Sequence, residues 1–86
     1  MLMVMKTVNT AFFGVFDATG SNVFTGLIGQ CEAYIQANME RLLSESGDTV
    51  TISTFDVDTA TNTVVPARNI INYTRHNDTV YVTNNL

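Results

Sequence analysis

An α+β fold is predicted, with one amphipathic helix packed on one face of a small antiparallel sheet of four to five strands in the order ββαββ(β). Three features of the sequence carry this expectation. Extended-forming residues crowd both sides of a central segment, that segment alone switches to helical periodicity, and Thr and Asn dominate after Asp48. Thr suits strands and Asn suits turns, so the composition itself leans towards β. The 86 residues form one domain, residues 1–86, able to bury a single core layer.

The elements follow in order. From Lys6 to Phe16 the chain is rich in strand formers (Val8, Phe12, Phe13, Val15, Phe16), Asp17 to Asn22 reads as a bend, and Val23 to Leu27 as a second strand. The two runs are expected to pair as an antiparallel hairpin. From Gly29 the period becomes 3.6: Ile28, Cys31, Ile35, Met39 and Leu42 fall three and four apart on one face, with Leu43 at its edge, while Gln30, Glu32, Gln36, Glu40 and Glu45 lie mainly opposite. Thr25 or Gly26 is expected to cap the start of this helix, and Gly47 to end it in a left-handed conformation. After Gly47, Val50 and Ile52 alternate with Thr49, Thr51 and Ser53 in a half-buried strand. Thr59 to Asn62 is a turn. Pro66 cannot donate to a ladder, which leaves Pro66 to Tyr73 open between a strand with an edge or bulge and a short helix. A turn at Arg75 to Asp78 leads into a final strand from Thr79 to Thr83. The first ten residues, "MLMVMKTVNT", place an apolar run ahead of their only positive charge, the reverse of a secretory signal. Met1 to Met5 read as alternative starts or as the lead-in to the first strand.

Composition narrows the function classes. Apolar residues make up 45% of the chain and charged residues only 14%, which excludes a disordered tail. The net charge is −4, and the only bases are the scattered Lys6, Arg41, Arg68 and Arg75, so no nucleic-acid footprint is expected. No apolar run reaches membrane-spanning length. The single Cys31 cannot form an internal disulfide, which suits a reducing cytoplasm.

Four constellations bear on chemistry. "FDATGSNVFTG", Phe16 to Gly26, has the glycines of a phosphate-cradling loop, but five residues separate Gly20 from Gly26 and Leu27-Ile28 replace the Lys and hydroxyl that such a loop needs. Asp17, Gly20 and Asn22 fit a hairpin bend instead. Cys31 lies on the apolar face of the helix, where it reads as a small buried hydrophobe rather than a nucleophile. Asp56 and Asp58 share one side of a strand with no third metal ligand in view, and read as a solvated strand end. "YTRHND", Tyr73 to Asp78, gathers a phenol, a guanidinium, an imidazole and a carboxylate, so Tyr73, Arg75 and His76 are the candidate contacts for a small ligand or nucleotide. No catalytic residue, cofactor site or metal site is predicted, and the chain is expected not to be an enzyme.

What remains is a protein partner. A single helix covers one face of a sheet, and adjacent Phe12 and Phe13 on a strand point to opposite faces, so an uncovered apolar face or an open edge would favour a partner or a homodimer. The candidate interaction residues are Phe12, Phe13, Phe24, Tyr73, Arg75, His76 and Tyr81. A monomer of this mass exposes roughly 5,000 Å², of which one side of a standard interface takes about a sixth.

The stretch "GVFDATGSNVFTGLIGQCEAYI", Gly14 to Ile35, combines a strand, a D-x-x-G turn, a second strand ending in T-G and a helix carrying C-E-A-Y-I. In this pattern it resembles short, uncharacterised accessory proteins of tailed phages and their prophages. The resemblance spans about a quarter of the chain and marks a fold unit. It implies a factor in the host cytoplasm that binds and inhibits host or defence machinery, anti-CRISPR proteins among such factors, and it carries over no functional residue.

Overall fold

The computed structural model describes residues 12–45 and 47–85. Five strands and one helix succeed each other as β1 (Phe13–Phe16), β2 (Asn22–Gly26), α1 (Ile28–Glu45), β3 (Thr49–Asp58), β4 (Thr63–His76) and β5 (Thr79–Asn84). They form a single antiparallel sheet in the order β2-β1-β3-β4-β5, with α1 against one face. The α+β class and the order ββαβββ are therefore as the sequence predicts. The expected contributions of Lys6 and Val8 to the first strand, and the reading of Met1 to Met5, lie outside the described residues.

The β1–β2 turn is organised by Asp17. Its carboxylate accepts bonds from the Thr19 amide (3.0 Å), the Thr19 hydroxyl (2.6 Å) and the Ser21 amide (3.1 Å), and Gly20 takes φ of 87°. Asx-type turns close in this way, and only glycine adopts that φ without strain.

The helix starts one to two residues later than the expected cap. Thr25 and Gly26 belong to β2, and the first helical bond runs from the Cys31 amide to the Leu27 carbonyl (2.9 Å), which makes Leu27 the N-cap. A leucine cannot cap with its side chain, and Gln30 supplies the bond instead: its Oε1 accepts the Leu27 amide at 2.9 Å, one half of a capping box. At the other end Gly47 takes φ of 126°, as expected of a glycine that ends a helix.

The helix buries the face that its periodicity picks out. Cys31, Ile35, Leu42 and Leu43 pack on Val15, Val50, Ile52, Ile70, Ile71 and Tyr73, with Ile28 and Met39 at the margin. One contact goes beyond the expected stripe: Tyr34 stacks on Phe24 of β2 with ring centroids 4.6 Å apart and planes 15° from parallel.

β4 departs from regular pairing twice. Asp58 to Phe55 pair with Thr63 to Pro66, Ser53 then pairs with Asn69, and Ile52 with Ile71, so β4 gains one residue at each of two register shifts. The second shift leaves Ile70 and Ile71 both buried, although neighbours in a regular strand face opposite sides. Pro66 sits beside the first shift, within strand and not in a short helix. Since β5 pairs only from Ile71 onward and β1 only as far as Ser53, the missing amide of Pro66 deprives no third strand of a partner.

Beyond Ser53, β3 and β4 continue as a two-stranded ribbon that curls back across the sheet. β2 touches β4 although two strands separate them, and Asn62, Thr63 and Val64 at the ribbon tip line a cleft together with Thr19, Gly20, Ser21 and Asn22. With the helix on one face, the curl falls on the other. There Phe16 is 1% exposed and Ser53 fully buried, and neither belongs to the helix-side core of Val15 and Ile52. Phe16 needs Gly14 beneath it, since a Cβ at residue 14 would stand 2.7 Å from its ring.

Gly14→Ala is therefore expected to destabilise the fold by about 1–3 kcal/mol, because the buried ring has nowhere to move. Urea denaturation checks this. In the Gly14→Ala/Phe16→Leu double variant the loss should be smaller than the sum of the two single losses.

Candidate functional site

The cluster that the sequence singled out does not converge on one surface. Tyr73 is 5% exposed and belongs to the core under the helix. Arg75 shares that face, and its Nη2 donates to the Leu43 carbonyl (2.8 Å) and to Asp48 Oδ1 (3.0 Å), while its own amide donates to the Asp48 carbonyl (2.8 Å). The guanidinium thus ties β4 to the last turn of α1, where a cation meets the negative end of the helix dipole. His76 is exposed and faces the opposite side, as strand alternation requires. The turn itself narrows to Asn77 and Asp78, whose φ values of 51° and 67° make the two-residue hairpin bend that matches strand twist.

The other constellations resolve in simple terms. Asp17 already occupies the donors of its loop that a phosphate would need, so the stretch from Phe16 to Gly26 acts as a hairpin bend. The cleft of about 450 Å³ between this bend and the tip of the β3–β4 ribbon offers hydroxyls and amides but no charged side chain. Cys31 is buried, and its Sγ donates weakly to the carbonyls of Phe13 (3.5 Å) and Gly26 (3.6 Å). Burial pushes its thiol pKa up, and the charge of Glu32 adds to the rise. Tyr73 is raised in the same way, first by burial and then by Glu32 and Cys31. Asp58 closes the β3–β4 turn by accepting the Ala60 amide (3.0 Å), and Asp56 is exposed on the ribbon. Among the described residues no group of three His, Cys, Asp or Glu side chains is placed to hold a metal ion, and no helix is long and apolar enough to cross a membrane.

The aromatic candidates divide. Phe13 and Phe24 pack against the core, whereas Phe12, just ahead of β1, is 59% exposed. Tyr81 is 56% exposed on the face away from the helix, and its neighbour Val82 is 58% exposed on the helix side. The open part of the far face is polar rather than apolar, with Thr51, Asn69, Asn72, Thr74 and Thr83 aligned across β3, β4 and β5. Apart from Val57 and Val65 on the ribbon, the large exposed apolar side chains of β3, β4 and β5 are Tyr81 and Val82, both on β5, one on each face.

β5 is an edge strand whose hydrogen-bond phase can be derived. In a two-residue hairpin the flanking residues, His76 and Thr79, exchange bonds, so every second residue of β5 bonds inward to β4. The bond from the Asn85 amide to the Ile70 carbonyl (2.7 Å) fits this phase. Thr79, Tyr81 and Thr83 therefore face β4, while the amides and carbonyls of Val80 and Val82 point outward. No described strand pairs on that side. Natural edges are usually blunted by Lys, Pro, bulges or inward charges. β5 reads TVYVTN, and its pairing with β4 runs without a register shift.

No protein-family model, curated protein or solved structure matches this chain.

Sequence reasoning named Tyr81 but missed Val80 and Val82. The signal was present in the Asn-Asp bend followed by eight residues without a charged side chain, since the bend sets the hydrogen-bond phase and the missing charge leaves the edge unguarded.

Two measurements check this description. Arg75→Ala should lower stability by about 1–2 kcal/mol through loss of the Leu43 bond, and Asp48→Ala by less than about 1 kcal/mol because that ion pair is partly solvated. Urea midpoints for both variants decide it, and an unchanged Arg75→Ala midpoint would contradict the tether. Because folding raises the Cys31 pKa, the native state holds its proton more tightly, and stability should fall as pH rises above the ordinary thiol value of about 8.5. Part of that slope should vanish in Cys31→Ala, leaving the contribution of Tyr73.

Proposed function

We propose that this chain is a non-enzymatic protein-interaction module that takes an extended segment of a partner onto the open edge of β5. The observation that carries the reading is the outward ladder of Val80 and Val82 on an edge with no charge, proline or bulge. Such an edge supplies main-chain hydrogen bonds for affinity, and its alternating side chains supply selectivity. The exposed Tyr81 and Val82 give apolar contact on the two faces beside the new strand.

The resemblance of Gly14 to Ile35 to tailed-phage accessory proteins supplies the biological setting. In that setting the module binds a host or defence protein in the host cytoplasm and inhibits it by occupying a strand or surface that the target needs. A second copy of the chain is the simplest competitor for the same edge. The ligand-binding alternative at Tyr73, Arg75 and His76 has no comparable support, with Tyr73 in the core and Arg75 engaged at the end of the helix.

Val82→Pro tests this reading. The variant removes one outward amide and no bond to β4, the placement at which edge strands tolerate proline. It should keep the fold by circular dichroism and lose the partners that the wild-type chain captures from a lysate of its source. In light scattering a monomeric wild type fits a foreign partner, and a dimer abolished by Val82→Pro identifies the edge as self-pairing. Unchanged capture and unchanged mass in Val82→Pro would refute the edge as the working surface.

A further inference from the structure

The structure points to the chemistry of the incoming strand: we infer that it carries a basic side chain opposite Val80. This rests on the edge reading above and adds a selectivity that the edge alone does not supply. A cleft of about 300 Å³ lies between α1 and the β4–β5 turn, lined by Met39, Glu40, Leu43, Arg75, Asp78 and Val80. Its lining is amphipathic. Met39 and Val80 offer an apolar wall on which an alkyl stem can lie, with the buried Leu43 at its base, and Glu40 and Asp78 offer two carboxylates for the charge at its end. Arg75 also lines the cleft, but its guanidinium is bonded to Asp48 and to the Leu43 carbonyl, so the nearest countercharge to it is Asp48.

Strand geometry brings the cleft and the edge together. Val80 pairs with Arg75, and Arg75 reaches the helix, so the side chain of Val80 lies on the helix side of the sheet. Val80 also bonds outward, and an antiparallel strand added to β5 must therefore place one residue directly opposite it with its side chain on the same face. That residue stands at the mouth of the cleft. The neighbour two positions along meets Val82, which is exposed and apolar. The edge thus fits an extended segment with a Lys or Arg opposite Val80 and an apolar residue opposite Val82.

Charge also decides between a foreign partner and a second copy. Each chain carries a net charge of −4, and β5 contains no basic residue, so self-pairing brings no cation to either cleft. A basic segment meets both carboxylates.

The test uses the full chain, labelled with ¹⁵N, and three blocked hexapeptides of alternating Thr and Val that carry Lys, norleucine or Glu at the position opposite Val80. In NMR titrations the Lys peptide should shift the Val80 and Val82 amides and bind about tenfold more tightly than the Glu peptide, with norleucine between them. The difference should shrink to about twofold in Glu40→Gln/Asp78→Asn and at high salt. Asn tolerates the positive φ at residue 78, so the turn survives that substitution. Equal affinity for the Lys and Glu peptides, both lost in Val82→Pro, would overturn the basic preference and leave the edge reading standing. A Lys preference that survives in the double variant would overturn the assignment to this cleft. Binding that Val82→Pro leaves untouched, or no shift of the Val80 and Val82 amides by any of the peptides, would overturn the edge reading and this inference with it.

Discussion

Two extra residues in β4 shape the molecule more than any single contact. Each forces a register shift against β3, and each shift bends and twists the strand locally. The shift at Ile70 lets two consecutive isoleucines enter the core under the helix. The shift near Pro66 turns the rest of the ribbon back over the opposite face, where Phe16 and Ser53 become buried. A short sheet is thereby sheltered on both sides with only one helix. The apolar pairing of Phe16 with Gly14 depends on that cover, since an aromatic ring on an open face would not reach 1% exposure.

The same geometry decides which surface stays exposed. The ribbon shelters part of the far face, and what is left of that face is mainly threonine and asparagine, with the exposed Tyr81 at its β5 margin. The helix covers the other side as far as Tyr73, beyond which Val82 stands exposed. Arg75 fixes this limit by bonding the last turn of α1 to β4, so the helix end and the β5 hairpin hold a constant relation. Arg75, so tethered, forms one wall of the cleft beside Val80. Beside β5, on whose outer side no described strand pairs, lies a recess lined by Glu40 and Asp78, so hydrogen-bonding groups and negative charge meet in one place.

Much of the fold was legible in the sequence because periodicity reports directly on burial. The change from alternation to 3.6 spacing at Gly29 located the helix and its buried face, Gly47 located its end, and "TVYVT" located the last strand. The register shifts were less visible. Ile70-Ile71 breaks the alternation, a local sign of the bulge found there, whereas Val64-Val65 pairs in regular register and marks none; the direction in which a bulge bends a ribbon depends on tertiary packing. The helix cap was misplaced by the usual preference for a hydroxyl or glycine, whereas Gln30 provides the bond from within the helix. The candidate site was read from the density of functional groups in "YTRHND", and strand alternation with helix packing then separated those groups: Tyr73 to the core, Arg75 to the helix end, His76 to the far side. A phenol and a guanidinium can be structural as readily as chemical, and only the fold distinguishes the two uses.

The central claim is that the outward hydrogen-bonding groups of β5 are open and ready to receive a strand. Amide hydrogen exchange followed residue by residue addresses it most directly, because each amide of the strand reports which side it faces. The account predicts an alternation in the isolated chain, with Tyr81 and Thr83 protected by β4 and Val80 and Val82 exchanging as open-edge amides. Protection of Val80 and Val82 to the same degree as their neighbours would show the edge already covered and would contradict it.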